Sequence, residues 1–242
     1  MYKPHPHFNI PEAKDTKVWR YMDLTKLFAL LEYSNLLMVR SDKFTDKHEG
    51  SIASFNLSER SKTYENYDSL SILFKQTDQL SNTMRPYVYL NCWHVNDLES
   101  AAMWDLYSSK SGGIAIQSTF NRLIKSLVDK RDLTVGLVKY IDYNTEWMPE
   151  GNIYYPFFHK RKSFMHEQEL RILANEDPYE VGKGNVAKVD LGITIKVNLL
   201  ELIENIYIHP NTPEWQFETI KLVLRKYKFL PTAIKSDLYS IK

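Results

Sequence analysis

The sequence predicts an α+β fold: a single domain with a mixed or antiparallel sheet and helices packed against it. Three observations carry this expectation. Strand-like segments come in clusters rather than alternating strictly with helices, amphipathic helix patterns stand near both ends, and no internal repeat or Pro/Gly/Ser linker divides the 242 residues. Residues 1–17 hold three prolines and two histidines in no periodic apolar pattern. They are expected as an extended N-terminal arm, laid on the surface or left mobile, with residues 18–242 forming the domain.

Val18–Met22 reads as a short strand, after which Asp23 is placed to cap a helix whose Leu24, Leu27, Phe28 and Leu31 follow the i, i+3, i+4, i+7 spacing and which ends near Ser34 and Asn35. Leu36–Val39 is the next strand, Ser41–Gly50 is polar, and residues 56–84 are assigned as helix and loop. Pro86–His94 is rich in strand formers and runs straight into a helix, for which Asn96 and Glu99 offer a capping box and Met103, Trp104 and Tyr107 an apolar face. A glycine turn leads to a strand through Ser118, then to a helix with Leu123, Ile124, Leu127 and Val128 on one face. Further strands are expected at Gly136–Ile141, Glu169–Ala174, Val186–Leu191 and Asn205–His209. Thr212 and Pro213 then open a helix that gathers Arg225, Lys226 and Lys228 at its end, where the helix dipole favours them.

Composition narrows the function classes. Lys plus Arg is 31 against 30 for Asp plus Glu, a net charge of +1, so no global field draws the chain onto a polyanion and strong sequence-independent nucleic-acid binding is not expected. The single cysteine, Cys92, excludes an intramolecular disulfide and a cysteine-rich zinc site. The seven histidines show no metal-ligand spacing, and no metal is expected. Residues 1–14 lack the apolar stretch of a signal peptide and no run approaches a membrane span, which makes the cytoplasm the expected location. Aromatic residues reach 13% and suit both a core and the holding of planar ligands.

P-loop, dinucleotide GxGxxG, nucleophile-elbow and HExxH signatures are absent. Cys92 and His94 lie two apart on a strand, so both side chains share a face, although a small core cysteine is the simpler reading. His159-Lys160-Arg161-Lys162 is the compact basic cluster, preceded by Tyr154, Tyr155, Phe157 and Phe158; it reads as a surface turn with a solvated charge run, or as a contact for stacked bases and phosphate. Glu167 and Glu169 carry the most chemistry. Two carboxylates at i and i+2 entering a strand project to one face, and their proximity raises the pKa of one of them, a condition suited to acid–base work. The plainer alternative is a solvent-facing strand edge with Arg171 as counter-charge.

Trp19-Arg20-Tyr21, Phe44–Gly50, Cys92-Trp93-His94, Glu99–Trp104 with Tyr107, Gly113–Ile116, Lys160 with Glu167–Arg171, and Leu202–Pro210 together resemble the bacterial domain-of-unknown-function family numbered 2971. The resemblance covers roughly residues 18 to 240 and departs at Thr45-Asp46-Lys47, where that family more often shows Asn-Asp-Pro. It implies a bacterial cytoplasmic protein. A weaker similarity joins Glu167–Leu173 to the Glu-x-Glu loop of arginine-serine-glutamate ADP-ribosyltransferases, with Arg20 and Ser118 in the same chain order and the serine motif incomplete at Phe120. It implies an ADP-ribosyltransferase-like fold and NAD as substrate. Glu169 would then be the catalytic carboxylate and Glu167 its helper, with Arg20 on the phosphates and Tyr21, Trp93, His94 and Ser118 lining the cofactor pocket. A catalytically silent sensor or partner subunit in a defence or toxin system, and a nucleic-acid-interacting module, are the alternatives.

Overall fold

The first strand, β1 (Lys17–Asp23), buries Val18 and Met22 on one face and Trp19 and Tyr21 on the other, the pattern of a strand covered on both sides. The computed structural model describes residues 2, 4–63, 83–109, 112–183, 190–227 and 233–240. α1 (Leu24–Tyr33) buries Leu27, Leu30 and Leu31 and stops at Ser34, whose left-handed backbone closes the last turn. Asp23 stands at its N-cap position, but its side chain makes no capping hydrogen bond. β2 (Asn35–Arg40), α2 (Ser54–Thr63) and β3 (Val88–Val95) follow; residues 64–82, within the stretch assigned as helix and loop, lie outside the described residues.

The helix after β3 is α3 (Ala101–Tyr107), and its cap is Ser100, whose hydroxyl accepts from the Met103 amide, rather than the expected Asn96. β4 (Gly113–Thr119) leads directly into α4 (Phe120–Ser126), which ends before Val128; that side chain is exposed instead of sharing the apolar face. The strand expected at Gly136–Ile141 is two, β5 (Thr134–Leu137) and β6 (Lys139–Ile141), which belong to different sheets. Where the sequence predicts a turn at the basic cluster, the chain forms β7 (His159–Arg161), paired in parallel with β6. β8 (Glu169–Asn175) stands where expected, followed by α5 (Pro178–Gly182). Of the strand expected at Val186–Leu191, residues 186–189 lie outside the described residues and Asp190 and Leu191 are exposed; the strand here is β9 (Gly192–Lys196). After α6 (Leu199–Leu202) and β10 (Asn205–Ile208), α7 (Glu214–Lys226) begins behind Pro213; Thr212 does not cap it but accepts from the Gly112 amide. β11 (Ala233–Lys235) is the last of the described strands, and Lys228 lies outside the described residues.

Nine strands form one sheet, with the path β11-β10-β4-β1-β3-β2-β9 and with β8 and β5 continuing from β3. Among the described residues only the β10–β11 pair in it is parallel. The fold is therefore α+β with a mixed, mostly antiparallel sheet. Leu27, Leu30, Leu123, Leu202, Ile220 and Leu224 bring α1, α4, α6 and α7 onto one face, where they meet Val18, Ile116, Leu170 and Ile206 in the main core. The N-terminal arm is laid on the molecule: Phe8 is buried and stacks on Phe158 at 4.1 Å between ring centres.

One departure from a regular sheet positions the site. β8 occupies one edge of β3 from Val88 to His94. Both β1 and β2 must share the other edge: β1 at His94 and Val95, β2 at Tyr89 and Leu90. Between these contacts the two strands diverge, and α1 spans their far ends. Asn91–Trp93 is left without a strand partner on that side among the described residues.

Candidate functional site

A cavity of about 670 Å³ opens at this divergence. β1 contributes Arg20 and Tyr21, α1 Lys26 and Tyr33, β2 Asn35 and Leu37, and β3 Cys92, Trp93 and His94. Tyr107, Lys160, Phe164, Glu167, Glu169, Phe44 and Asp46 complete the lining. Four of these aromatics, Tyr33, Phe44, Tyr107 and Phe164, are half-buried or exposed and offer flat apolar surface.

The Arg20 guanidinium sits in the gap itself, where its Nη1 donates to the unpaired Cys92 carbonyl at 2.7 Å. Among the described residues it makes no ion pair, and its largest perturbation is burial, which lowers its pKa. A desolvated arginine without a carboxylate retains donors and charge for an anion.

Opposite it lies a closed network of five charged side chains. Arg171 is fully buried; Nε and Nη2 grip Glu169 at 2.7 and 3.1 Å, while Nη1 and Nη2 grip Glu49 at 2.5 and 3.0 Å. Lys160 donates to Glu169 at 2.8 Å and also to Glu167, whose other oxygen accepts from the Tyr107 hydroxyl at 2.6 Å. Three carboxylates against two cations leave one negative charge unmatched, and a shared proton removes it. That proton belongs to Glu167: burial, then the hydrogen bond and charge of Glu169, push its pKa up to about 7 against the pull of Lys160. Burial acts on Glu169 too, but Arg171 and Lys160 outweigh it and hold its carboxyl well below the usual range. Lys160 is raised, because the two glutamates overcome its desolvation.

Local structure explains the convergence. Residues 162–167 form a 3-10 helix that ends at Gln168 in a left-handed turn, which returns the chain into β8 with both glutamates buried. Glu49 arrives from the segment after β2, and Gly50 beside it has φ +71; a Cβ there would meet Phe157 at 2.4 Å. Arg161 holds Asp46 of the same segment at 2.9 Å.

The structure brings Glu167, Glu169, Arg20, Tyr21 and His94 to one cavity. Tyr21 serves as a wall: its hydroxyl accepts from the Ser100 amide, and its ring meets Trp104 edge-on at 5.0 Å. Trp93 lines the cavity but is buried in the main core, with its indole N–H donated to Asn91. Ser118 is not part of the site. It pairs with Val18 on the core side of the sheet, and its hydroxyl donates to the Leu202 carbonyl at 2.5 Å. The solvated reading of the basic cluster is corrected at its first half: His159 and Lys160 are buried, Lys160 between glutamates, and Arg161 is half-buried on Asp46, whereas Lys162 is exposed beside Glu146. The solvent-facing reading of the glutamates fails for the same reason. Burial raises the Cys92 thiol well above its ordinary value, which disfavours a thiolate.

No protein-family model, curated protein or solved structure matches the chain. Among the described residues no group of three His, Cys, Asp or Glu side chains is placed to hold a metal ion, and no helix is long and apolar enough to cross a membrane. Sequence reasoning passes over Lys160, Glu49, Tyr107 and Phe164 as parts of one site. The signal available for Lys160 is its place beside the apolar pair Phe157 and Phe158, which makes full solvation of the run costly.

Proposed function

We propose that the cavity binds a nucleotide of the NAD class and cleaves its N-glycosidic bond, the chemistry implied by the resemblance to ADP-ribosyltransferases. The observation that carries this reading is the pairing, across one cavity, of an arginine without a carboxylate partner and two glutamates whose pKa values are driven apart. Arg20 would take the phosphates, and the aromatic rim a base or nicotinamide ring. Heterolysis of the C1′–N bond sends the electron pair out with neutral nicotinamide and leaves an oxocarbenium-like ribose. The anionic glutamates stabilise that cation, water or an acceptor hydroxyl adds to C1′, and the displaced proton passes to Glu167. In this assignment Glu169 is a fixed anion and Glu167 the group that exchanges a proton.

The test is nicotinamide release from NAD. Wild type is expected to release it with a rising limb near pH 7, where Glu167 ionises, and Glu167→Gln and Glu169→Gln are each expected to lose about 10² or more in rate while remaining folded. Release that both variants retain would reject the assignment. One observation favours a silent nucleotide sensor instead: both oxygens of Glu169 are held by cations. NAD binding without any release by wild type would select that reading.

A further inference from the structure

The parting of β1 and β2 turns backbone groups into the plane of the sheet, and the strand period says which. The Val95 amide donates to Gln168 on the β8 side, and alternate residues of a strand offer N–H and C=O to the same edge. Val95, Trp93 and Asn91 therefore face β8, and Cys92 directs both of its backbone groups into the gap. On β2 the Arg40 amide donates to Leu191 on the β9 side, so Leu37 faces the gap in the same way. Tyr21 faces it from β1, because the alternate residues Val18, Arg20 and Met22 are bonded toward β4.

Side chains have already taken two of the carbonyls that face the gap. Arg20 Nη1 donates to that of Cys92 at 2.7 Å, and Asn91 Nδ2 to that of Leu37 at 2.8 Å. Among the described residues the amides of Cys92, Leu37 and Tyr21 meet no acceptor, so the gap holds three spare donors against the one spare carbonyl of Tyr21. Strand amides are seldom left in this state, because the lost hydrogen bond is costly. Cys92, Leu37 and Arg20 are each partly exposed, and all three line the cavity.

Charge and hydrogen bonding ask for the same ligand. Surplus N–H groups beside a guanidinium without a carboxylate partner suit an anion with several oxygens. One oxygen accepts from the guanidinium, and another from the Cys92 amide, which points the same way as the carbonyl that Arg20 holds. We propose that the Cys92 amide is a second donor to the ligand's phosphoryl group, which lies in the plane of the sheet and takes the place of the missing strand hydrogen bonds. The proposal rests on the reading of Arg20 as the phosphate-binding cation, but not on bond cleavage.

Cys92 is the only cysteine of the chain, so protein grown with nitrogen-labelled cysteine shows its backbone amide as a single resonance. Titration of wild type with inorganic phosphate, and separately with NAD, is expected to move the amide proton downfield in a saturable way and to slow its exchange with solvent about tenfold or more. Sodium chloride at matched ionic strength should do neither. Arg20→Gln keeps a donor for the Cys92 carbonyl and removes the charge; it should weaken the response to phosphate about tenfold or more, with its melting temperature confirming the fold. The wild-type spectra carry the test alone if that variant does not fold. A Cys92 resonance that stays still while calorimetry shows phosphate or NAD binding would overturn the proposal and leave Arg20 its role. So would an equal response to chloride, or an undiminished response in Arg20→Gln. Absence of binding by both probes would remove the Arg20 reading along with the proposal, whereas the expected shifts without nicotinamide release would remove only the catalytic reading.

Discussion

At the scale of single residues, Glu167 is the group whose state changes in the neutral range, and folding should report it. A glutamate ordinarily titrates at 4.5, and Glu167 does so at about 7. Between those values the folded protein keeps a proton the unfolded chain has lost, so this contribution to stability falls as pH rises from about 4.5 to 7 and is flat above. Glu169, held well below 4.5, contributes fully across that range and loses its share only in acid. His94, His159 and His209, lowered by burial, pull in the opposite direction to Glu167, so the informative quantity is a difference between proteins. Glu167→Gln mimics the protonated acid; its melting temperature should gain on wild type by about 3 °C or more between about pH 5 and pH 8. A gap that does not change with pH would show that Glu167 is ionised throughout. The glutamate pair is legible in the sequence because spacing of two in an extended segment places both on one side. Lys160 is not, because charge alone makes a basic run look solvated, and its neighbour Arg161 finds a partner in Asp46, 115 positions away. Ser118 falls outside the site for a related reason: the two-residue period says which side chains share a face, not which face opens to the cleft.

At the scale of elements, β9 completes the sheet beside β2, and Gly192 is the point of closest approach. A Cβ at Gly192 would fall 2.0 Å from the Met38 carbonyl oxygen, a backbone atom that cannot turn aside. Gly192→Ala should therefore separate the strands or bend them, at a cost of about 1–3 kcal/mol. Gly182→Ala, where a Cβ meets no described atom within 4 Å, is the control and should melt like wild type. Chemical denaturation of both variants decides it; an unchanged midpoint for Gly192→Ala would mean that β9 does not lie on β2. The strands β1, β3, β4 and β8 are readable in the sequence because each is a dense run of strand formers. β7 and β11, at three residues each, carry too few side chains for a period to emerge, and β5 and β6 read as one because the chain stays extended while changing sheets. The cap of α3 lies at Ser100 because a serine next to the first helical residue reaches the Met103 amide directly.

At the scale of the whole molecule, the cleft exists because one edge of β3 is divided between β1 and β2. No local pattern encodes that division, since each strand taken alone is ordinary; it arises from where α1 lets β2 return. The Glu49–Arg171 pair has a consequence for how a ligand arrives. It anchors the segment that carries Phe44 and Asp46 to the buried end of β8, and Arg161 and Phe157 brace it from beneath. A rim clamped from below has no stroke: each encounter meets the same aperture, and the ordering of that loop is completed during folding rather than at docking. Stopped-flow mixing with NAD, the ligand proposed for this cavity, should then give one binding phase whose rate climbs linearly with concentration. A rate that saturates would reveal a slow opening step, and would mean that the rim behaves as a door instead of a doorway.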